Sequence, residues 1–334
     1  MKKILLQVEK ILISAILSIT LLSIVCLVYG YNRTGVSTPI GASSYACEPE
    51  SWTSKMSEGH GWNVMDENGY NNDEVYADVD VLIMGGSHIE AFQVDRSENV
   101  THKLDEMLPQ YHVYNVGTSG HSTEICANYL EKACRYFSPK YTVIDMNSLQ
   151  LDESIMNSVM SGSYSYPELR TQKSELARVV RDYIPASASL IGQFRNWRTK
   201  GSRDEDDYVV EVSKYEDSAY IETLQKFLSY VGNVVKEYDS QLILLYHPLN
   251  YYVDETGQLV FEDETIEWKI FGQLCEENEI VLVSTKDEYI QMYNEKRVVP
   301  NGFSNTSLGS GHINKYGHTA MANVLYETIE ELED

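Results

Sequence analysis

Residues 79–91 read VDVLIMGGSHIEA. Val79 to Met84 make a short, largely apolar run, and two glycines and a serine follow at once. Such a run, closed by glycine, suits a strand buried on both faces better than a half-solvated one. Working outward, the same grammar recurs. HKLDEML (102–108) suits a helix and YHVYNVG (111–117) a second strand. TEICANYLEKACRYF (123–137) puts Ile125, Cys126, Tyr129, Leu130, Ala133 and Phe137 on one helical face. YTVIDMN (141–147) reads as a third strand. After a less regular stretch at 150–215, YIETLQKFLSYVGNVVKEY (220–238) carries the stripe Ile221, Leu224, Leu228, Val231 and Val235. QLILLYHP is a fourth strand, the helix-like ETIEWKIFGQLCEEN leads into EIVLVS as a fifth, and a last amphipathic helix starts near residue 315 with Ala320, Val324 and Thr328 a turn apart. Alternating strands and helices, joined by right-handed crossovers, predict a three-layer α/β/α sandwich on a mainly parallel five-stranded sheet. In such a sheet ligands bind at the carboxyl ends of the strands, so chemistry is expected just after them.

The chain has 334 residues, 43% of them hydrophobic, which excludes wholesale disorder. Its 50 acidic against 26 basic residues leave a net charge of -24, a surface that repels phosphate backbones and argues against nucleic-acid binding. Residues 1–10 hold three lysines, and 11–31 (ILISAILSITLLSIVCLVYGY) carry no charge, enough for a helix across about 30 Å of hydrocarbon. The positive-inside rule then places the N-terminus in the cytoplasm and the rest outside. A cleaved signal peptide is the rival reading, but the apolar run is long for one and no A-x-A site follows it. The domain plan is therefore a cytoplasmic 1–10, a transmembrane signal anchor at 11–31, a polar linker and irregular lead-in at 32–75, and an α/β domain at 76–334 with an insertion at about 150–215. Five cysteines show no zinc-type spacing: Cys126 and Cys134 lie about 12 Å apart along one helix, too far for a disulfide, and Cys47 and Cys275 could pair in an oxidising compartment. Eight scattered histidines give no metal-ligand spacing either, so neither metal nor cofactor is expected.

Four segments follow strand ends or precede the last helix. Gly85-Gly86-Ser87-His88 presents a serine in a glycine turn, either a nucleophile or a plain helix cap. Asn115 to Ser122 (NVGTSGHS) offers backbone N–H groups to a developing oxyanion. Asp145-Met146-Asn147-Ser148 holds an asparagine that is either an oxyanion donor or an Asx-turn residue. Gly309 to His318 (GSGHINKYGH) places His312 in a loop where it can serve as general base, with His318 inside the helix as a packing or surface residue.

Together these blocks resemble the SGNH (GDSL-like) hydrolase superfamily, over about residues 79–330. MGGSHIEAFQV looks like the GDS block with Ser87 as nucleophile, NVGTSGHST like the N-x-x-x-x-G block with Gly120, DMNS like the asparagine block with Asn147, and GHINKYGHTAMA like the G-H-x-N-x-x-G-H block with His312. The resemblance implies the flavodoxin-like SGNH fold, a Ser87–His312 pair, and an oxyanion site made by the N–H groups of Ser87 and Gly120 with Asn147. Two positions depart from it. The aspartate of GDS is Gly86, and the acid that stands three residues before the histidine is Gly309. Three explanations stay open: a dyad using a backbone carbonyl, an acid from elsewhere, or a degenerate site. The expected activity is an esterase removing acyl, first of all acetyl, groups from cell-envelope or extracellular carbohydrate, with 25 tyrosines available to stack on sugars. The alternatives are an O-acetyltransferase of surface polysaccharide and a non-catalytic glycan- or partner-binding protein. The sequence carries no sign of the oligomeric state.

Overall fold

The computed structural model describes residues 2–31, 34–165, 213–262 and 264–334. Helix α1 (Lys2–Tyr29) leads into β1 (Gly30–Tyr31), β2 (Thr34–Thr38), β3 (Gly41–Cys47), β4 (Trp52–Lys55) and β5 (Gly61–Val64). The α/β alternation then runs β6 (Val81–Met84), α2 (Ser87–Glu90), α3 (Val100–Met107), β7 (Val113–Asn115), α4 (Thr123–Phe137), β8 (Tyr141–Met146) and α5 (Glu153–Met160). It continues with α6 (Ser218–Lys236), β9 (Gln241–Tyr246), the hairpin β10 (Tyr251–Val253) and β11 (Leu259–Phe261), α7 (Thr265–Glu277), β12 (Val281–Ser284), α8 (Lys286–Lys296) and α9 (Lys315–Glu333).

The central sheet has the order β12-β9-β8-β6-β7, and every neighbouring pair in it is parallel. All four residues of β6 are buried, as its uninterrupted apolar run predicts. The period-2 pleat sorts them. Val81 and Ile83 join Val143, Ile243 and Leu245 against Leu104 of α3 and Met321, Leu325 and Ile329 of α9. Leu82 and Met84 join Ile144, Leu242 and Leu244 against Leu130 of α4, Leu228 of α6 and Phe271 of α7. The sheet thus has two cores, one per face, which is the three-layer sandwich; each large side chain so buried stabilises it by roughly 1.5–3 kcal/mol. Strand order reverses direction at β6, so the crevice at the carboxyl ends opens beside β6 and β8.

Helix α1 is one helix long and apolar enough, over Lys3–Val28, to cross a membrane. The stretch 32–75, expected as a linker and irregular lead-in, is instead built onto the domain. Its described part forms a β2–β3 hairpin and a β1-β4-β5 antiparallel sheet. Past β5, the Asn72 side chain bonds both backbone groups of Asn115, accepting from its N–H at 2.8 Å and donating to its carbonyl at 3.0 Å. Asp66 accepts from Tyr114 at 2.6 Å and from Asn72 at 2.9 Å. These side chains satisfy the outer edge of β7, which would otherwise stand open as an unpaired strand. Ile40 and Tyr70 reach the main core and Cys47 and Met65 pack on Phe92, but these apolar residues are scattered and the remaining ties are polar side chains meeting backbone, so no hydrophobic period marks the segment.

The five cysteines are free, with Cys47 and Cys275 buried in separate clusters, so that open pair is unbridged. Within the expected insertion at 150–215, α5 is a capped helix with Asp152 accepting from the Ile155 N–H at 3.0 Å; residues 166–212 lie outside the described residues.

Candidate active site

Ser87 is the first residue of α2, directly after β6, and Gly86 holds the cap position with no side chain to contribute. The Ser87 hydroxyl is therefore not spent on a helix cap. It lies 3.0 Å from His312 Nε2. A Cβ at Gly86 would sit 2.6 Å from the His121 carbonyl oxygen, so an aspartate at this position, as in GDS, has no room.

His312 is held by what surrounds it. Asn314 caps α9 by accepting from the N–H groups of Tyr316 at 2.9 Å and Gly317 at 3.3 Å, while its amide donates to the carbonyls of Val299 and Gly302. That double role ties the loop before the helix to the segment before it, and explains the G-H-x-N spacing in structural terms. The Ile313 N–H donates to His88 Nδ1 at 3.3 Å, so the residue after the nucleophile steadies the one after the base. Burial, and after it the neighbouring His247 and His312, hold His88 far below the usual histidine range, so it is neutral and able to accept. The His88 ring sits 5.3 Å from that of His312 and 5.1 Å from that of buried His247, beneath which Asp145 comes within 2.7 Å without hydrogen-bond alignment. His318 is buried in α9, where desolvation depresses its pKa to about 3; it packs.

A carboxylate from the N-terminal side reaches the His312 ring. Glu58, in the turn between β4 and β5, accepts from His312 with both oxygens: Oε1 from the backbone N–H at 2.8 Å and Oε2 from ring Nδ1 at 2.7 Å. Of the three explanations left by Gly309, an acid from elsewhere in the chain is the one to which this geometry corresponds. Gly309 itself faces Tyr251, whose hydroxyl would lie 3.6 Å from a Cβ there. Two positions on, Gly311 adopts φ +87, and a Cβ would collide with Glu58 Oε1. Only glycine serves where backbone and carboxylate approach so closely in the left-handed region.

Asn305 clamps the turn that carries Glu58. It accepts from the Gly59 N–H at 3.0 Å and donates to the carbonyls of Met56 at 2.9 Å and Gly59 at 2.8 Å. His60 N–H adds a bond to the Gln93 carbonyl at 3.0 Å. Neither Glu58 nor Asn305 is legible from periodicity. The one local signal is SEGHG itself, a glycine-flanked carboxylate in a tight turn.

Two cavities meet at the serine. One, of about 350 Å³, is lined by Ser87, Gly120, His121 and Asn147. The other, of about 490 Å³, is lined by Ser87, Gly120, Lys55, Glu90, Gln93 and His312. Asn115 sets the glycine loop: it accepts from the Gly117 N–H and donates to the Ile89 carbonyl, both at 2.7 Å, which brings the loop against α2. Among the described residues no partner takes the N–H of Ser87 or of Gly120, or the side-chain amide of exposed Asn147. The turn after β8 is closed by Ser148, which bonds both ways with Gln150. Asn147 is thus free of the Asx-turn role. Three unpaired donors facing one cavity beside a serine hydroxyl suit a developing oxyanion. Among the described residues no His, Cys, Asp and Glu group has the geometry to hold a metal ion.

No family model matches the chain, and no curated protein does. Solved structures do. The chain is similar to the psychrotrophic esterase EstA from a Pseudoalteromonas species, at 13% identity and a TM-score of 0.41, over 77% of this chain and 100% of that one. It is similar to the acetyl xylan esterase AlAXEase at 12% identity and a TM-score of 0.41, over 75% and 100%. A GDSL-like lipase from Bacteroides thetaiotaomicron matches at 12% identity and a TM-score of 0.35, over 75% and 88%. In its four sequence blocks, and in where these fall on a parallel sheet, the chain is similar to the SGNH (GDSL-like) hydrolases.

Proposed function

We propose that this protein is a serine esterase of SGNH type that removes acyl, first of all acetyl, groups from cell-envelope or extracellular carbohydrate. The observation that carries the proposal is the continuous chain from Ser87 Oγ through His312 Nε2 and Nδ1 to Glu58 Oε2, at 3.0 Å and 2.7 Å. In it His312 Nε2 takes the proton of Ser87 as Oγ attacks the acyl carbonyl. Glu58 holds the ring tautomer and faces the imidazolium that forms. The N–H groups of Ser87 and Gly120 and the Asn147 amide receive the oxyanion. His312 returns its proton to the departing alkoxide, then takes one from water, whose oxygen releases the acid and restores Ser87. Helix α1 would hold the domain at the outer face of a membrane, where acylated glycans are the nearest esters.

A transferase reading, with a sugar hydroxyl in place of water, draws on the two cavities meeting at Ser87. The non-catalytic reading rests on Gly309, and the Glu58 carboxylate at the His312 ring supports the catalytic reading over it. The test is labelling by a fluorophosphonate together with acetate release from p-nitrophenyl acetate. Wild type should react and Ser87→Ala should not; folded wild-type protein that neither labels nor releases acetate would refute the proposal. Adding a sugar acceptor and following acetyl-sugar separates transferase from esterase.

A further inference from the structure

The two cavities divide the site's groups in a way that assigns them. Asn147 lines one cavity and not the other; His312 lines the second and not the first. The proton that His312 Nε2 carries must reach the oxygen of the departing alcohol, so that oxygen has to lie in hydrogen-bond reach of Nε2. The alcohol half of the ester therefore occupies the His312 cavity, and that cavity's lining selects it.

Its lining mixes polar and apolar surface and carries one lysine. Lys55, at the end of β4, is half-buried and has no ion pair or side-chain hydrogen bond among the described residues. The one carboxyl lining the cavity is Glu90, fully within the protein, and Ser119 donates its hydroxyl to it. Desolvation, opposed by the Ser119 bonds and by Lys55, pushes the Glu90 pKa up to about 7, which leaves the group largely protonated in mildly acidic surroundings. Glu58 stands nearby but is spent on His312. On a chain of net charge -24, a lysine that makes no ion pair among the described residues and lines the cavity beside Ser87 is a feature the surface charge does not explain.

We infer that the His312 cavity binds the alcohol half of an ester that bears an anionic group, carboxylate or phosphate, and that Lys55 is the residue that reads it. The inference rests on the esterase reading above and names its substrate class: an acylated acidic sugar or polyol phosphate rather than a neutral glycan. Gln93 and Ser57 also line it and can hydrogen-bond sugar hydroxyls around the charge.

The experiment compares kcat/KM within two pairs of acetyl esters: the O-acetylated methyl glycoside of galacturonic acid, its carboxylate free, against O-acetyl methyl galactoside, and acetylglycerol phosphate against acetylglycerol, each with full-length protein. Wild type should prefer the anionic member of at least one pair, and which pair shows the preference tells carboxylate from phosphate. Lys55→Gln should cut the anionic-to-neutral ratio about fivefold, the upper range of a solvent-accessible charge pair, and Lys55→Glu should invert it. Raised salt should shrink the ratio in wild type and leave it flat in Lys55→Gln. A wild-type ratio near one in both pairs, or a ratio indifferent to Lys55→Glu, overturns the inference while leaving the esterase intact. Turnover of no ester together with no fluorophosphonate labelling overturns both.

Discussion

The carboxyl ends of the parallel sheet and the β4–β5 turn meet at one imidazole, yet they are built in different ways. The sheet side places Ser87, Gly120 and Asn147 after three successive parallel strands, each position set by the register of the ladder and by two apolar cores. The turn side delivers Glu58 from 254 residues away in sequence, held by backbone-to-side-chain hydrogen bonds from Asn305 and by the absence of a side chain at Gly311. A nucleophile and an oxyanion site need several groups in fixed mutual geometry, which a sheet supplies. An orienting acid needs one carboxylate within reach of Nδ1, which any segment passing the histidine can supply. The difference explains how a chain can lose the acid before its histidine and keep a complete Ser–His–carboxylate chain.

Breaking the turn side should therefore cost turnover while leaving the sheet whole. The largest effect is expected for Glu58→Gln. Glu58 accepts from both the His312 backbone N–H and Nδ1, and an amide can accept only one of them without flipping its NH2 toward a donor. A drop of about 10³- to 10⁴-fold in kcat is expected, with circular dichroism and melting nearly unchanged. Gly309→Asp added to Glu58→Gln should not restore activity, because a side chain at 309 faces Tyr251. Rescue by that change would mean the turn merely substitutes for a position still able to serve.

A smaller effect is expected for Asn305→Ala, which removes three bonds from the turn while leaving the carboxylate in the chain. About a tenfold loss in kcat is expected, with a stability cost of about 1–3 kcal/mol, since partners half-exposed to water find replacements. Equal losses in Asn305→Ala and Glu58→Gln would show that the clamp, not the carboxylate alone, sets the histidine.

The smallest effect tests the sheet side through pH. The Glu90 pKa is raised from 4.5 to about 7 by burial, so the folded state binds more protons than the unfolded state between these values. Stability is then full below the unfolded pKa and falls as pH rises through the folded one. In Glu90→Gln that decline between about pH 4.5 and 7 should flatten, by a few degrees in Tm measured at each pH. A wild-type melting temperature that rises across the same window would contradict the buried neutral carboxyl.

Much of this was legible in the chain itself. The five strands, the helix at Thr123–Phe137 to the residue, and the positions of Ser87, Gly120, Asn147 and His312 at strand ends or before the last helix all follow from apolar runs, glycine punctuation and spacing. These are local signals, and a sheet buried on both faces writes them strongly. The packing of the segment 32–75, expected as a linker and irregular lead-in, is not legible, because Asp66, Asn72 and Asn63 bond to Tyr114, Asn115 and the Val94 carbonyl, and such contacts have no period.

By itself, then, the sequence determined the sandwich, the apolar N-terminal helix, and which serine and histidine face the crevice, because burial and turn geometry act between near neighbours. Only the tertiary structure decided that Glu58 reaches the His312 ring, that Gly311 makes room for it, and that Lys55 lines the cavity beside Ser87. Each of those is a contact between residues far apart in the chain, set by how the β4–β5 turn docks and not by any pattern along it.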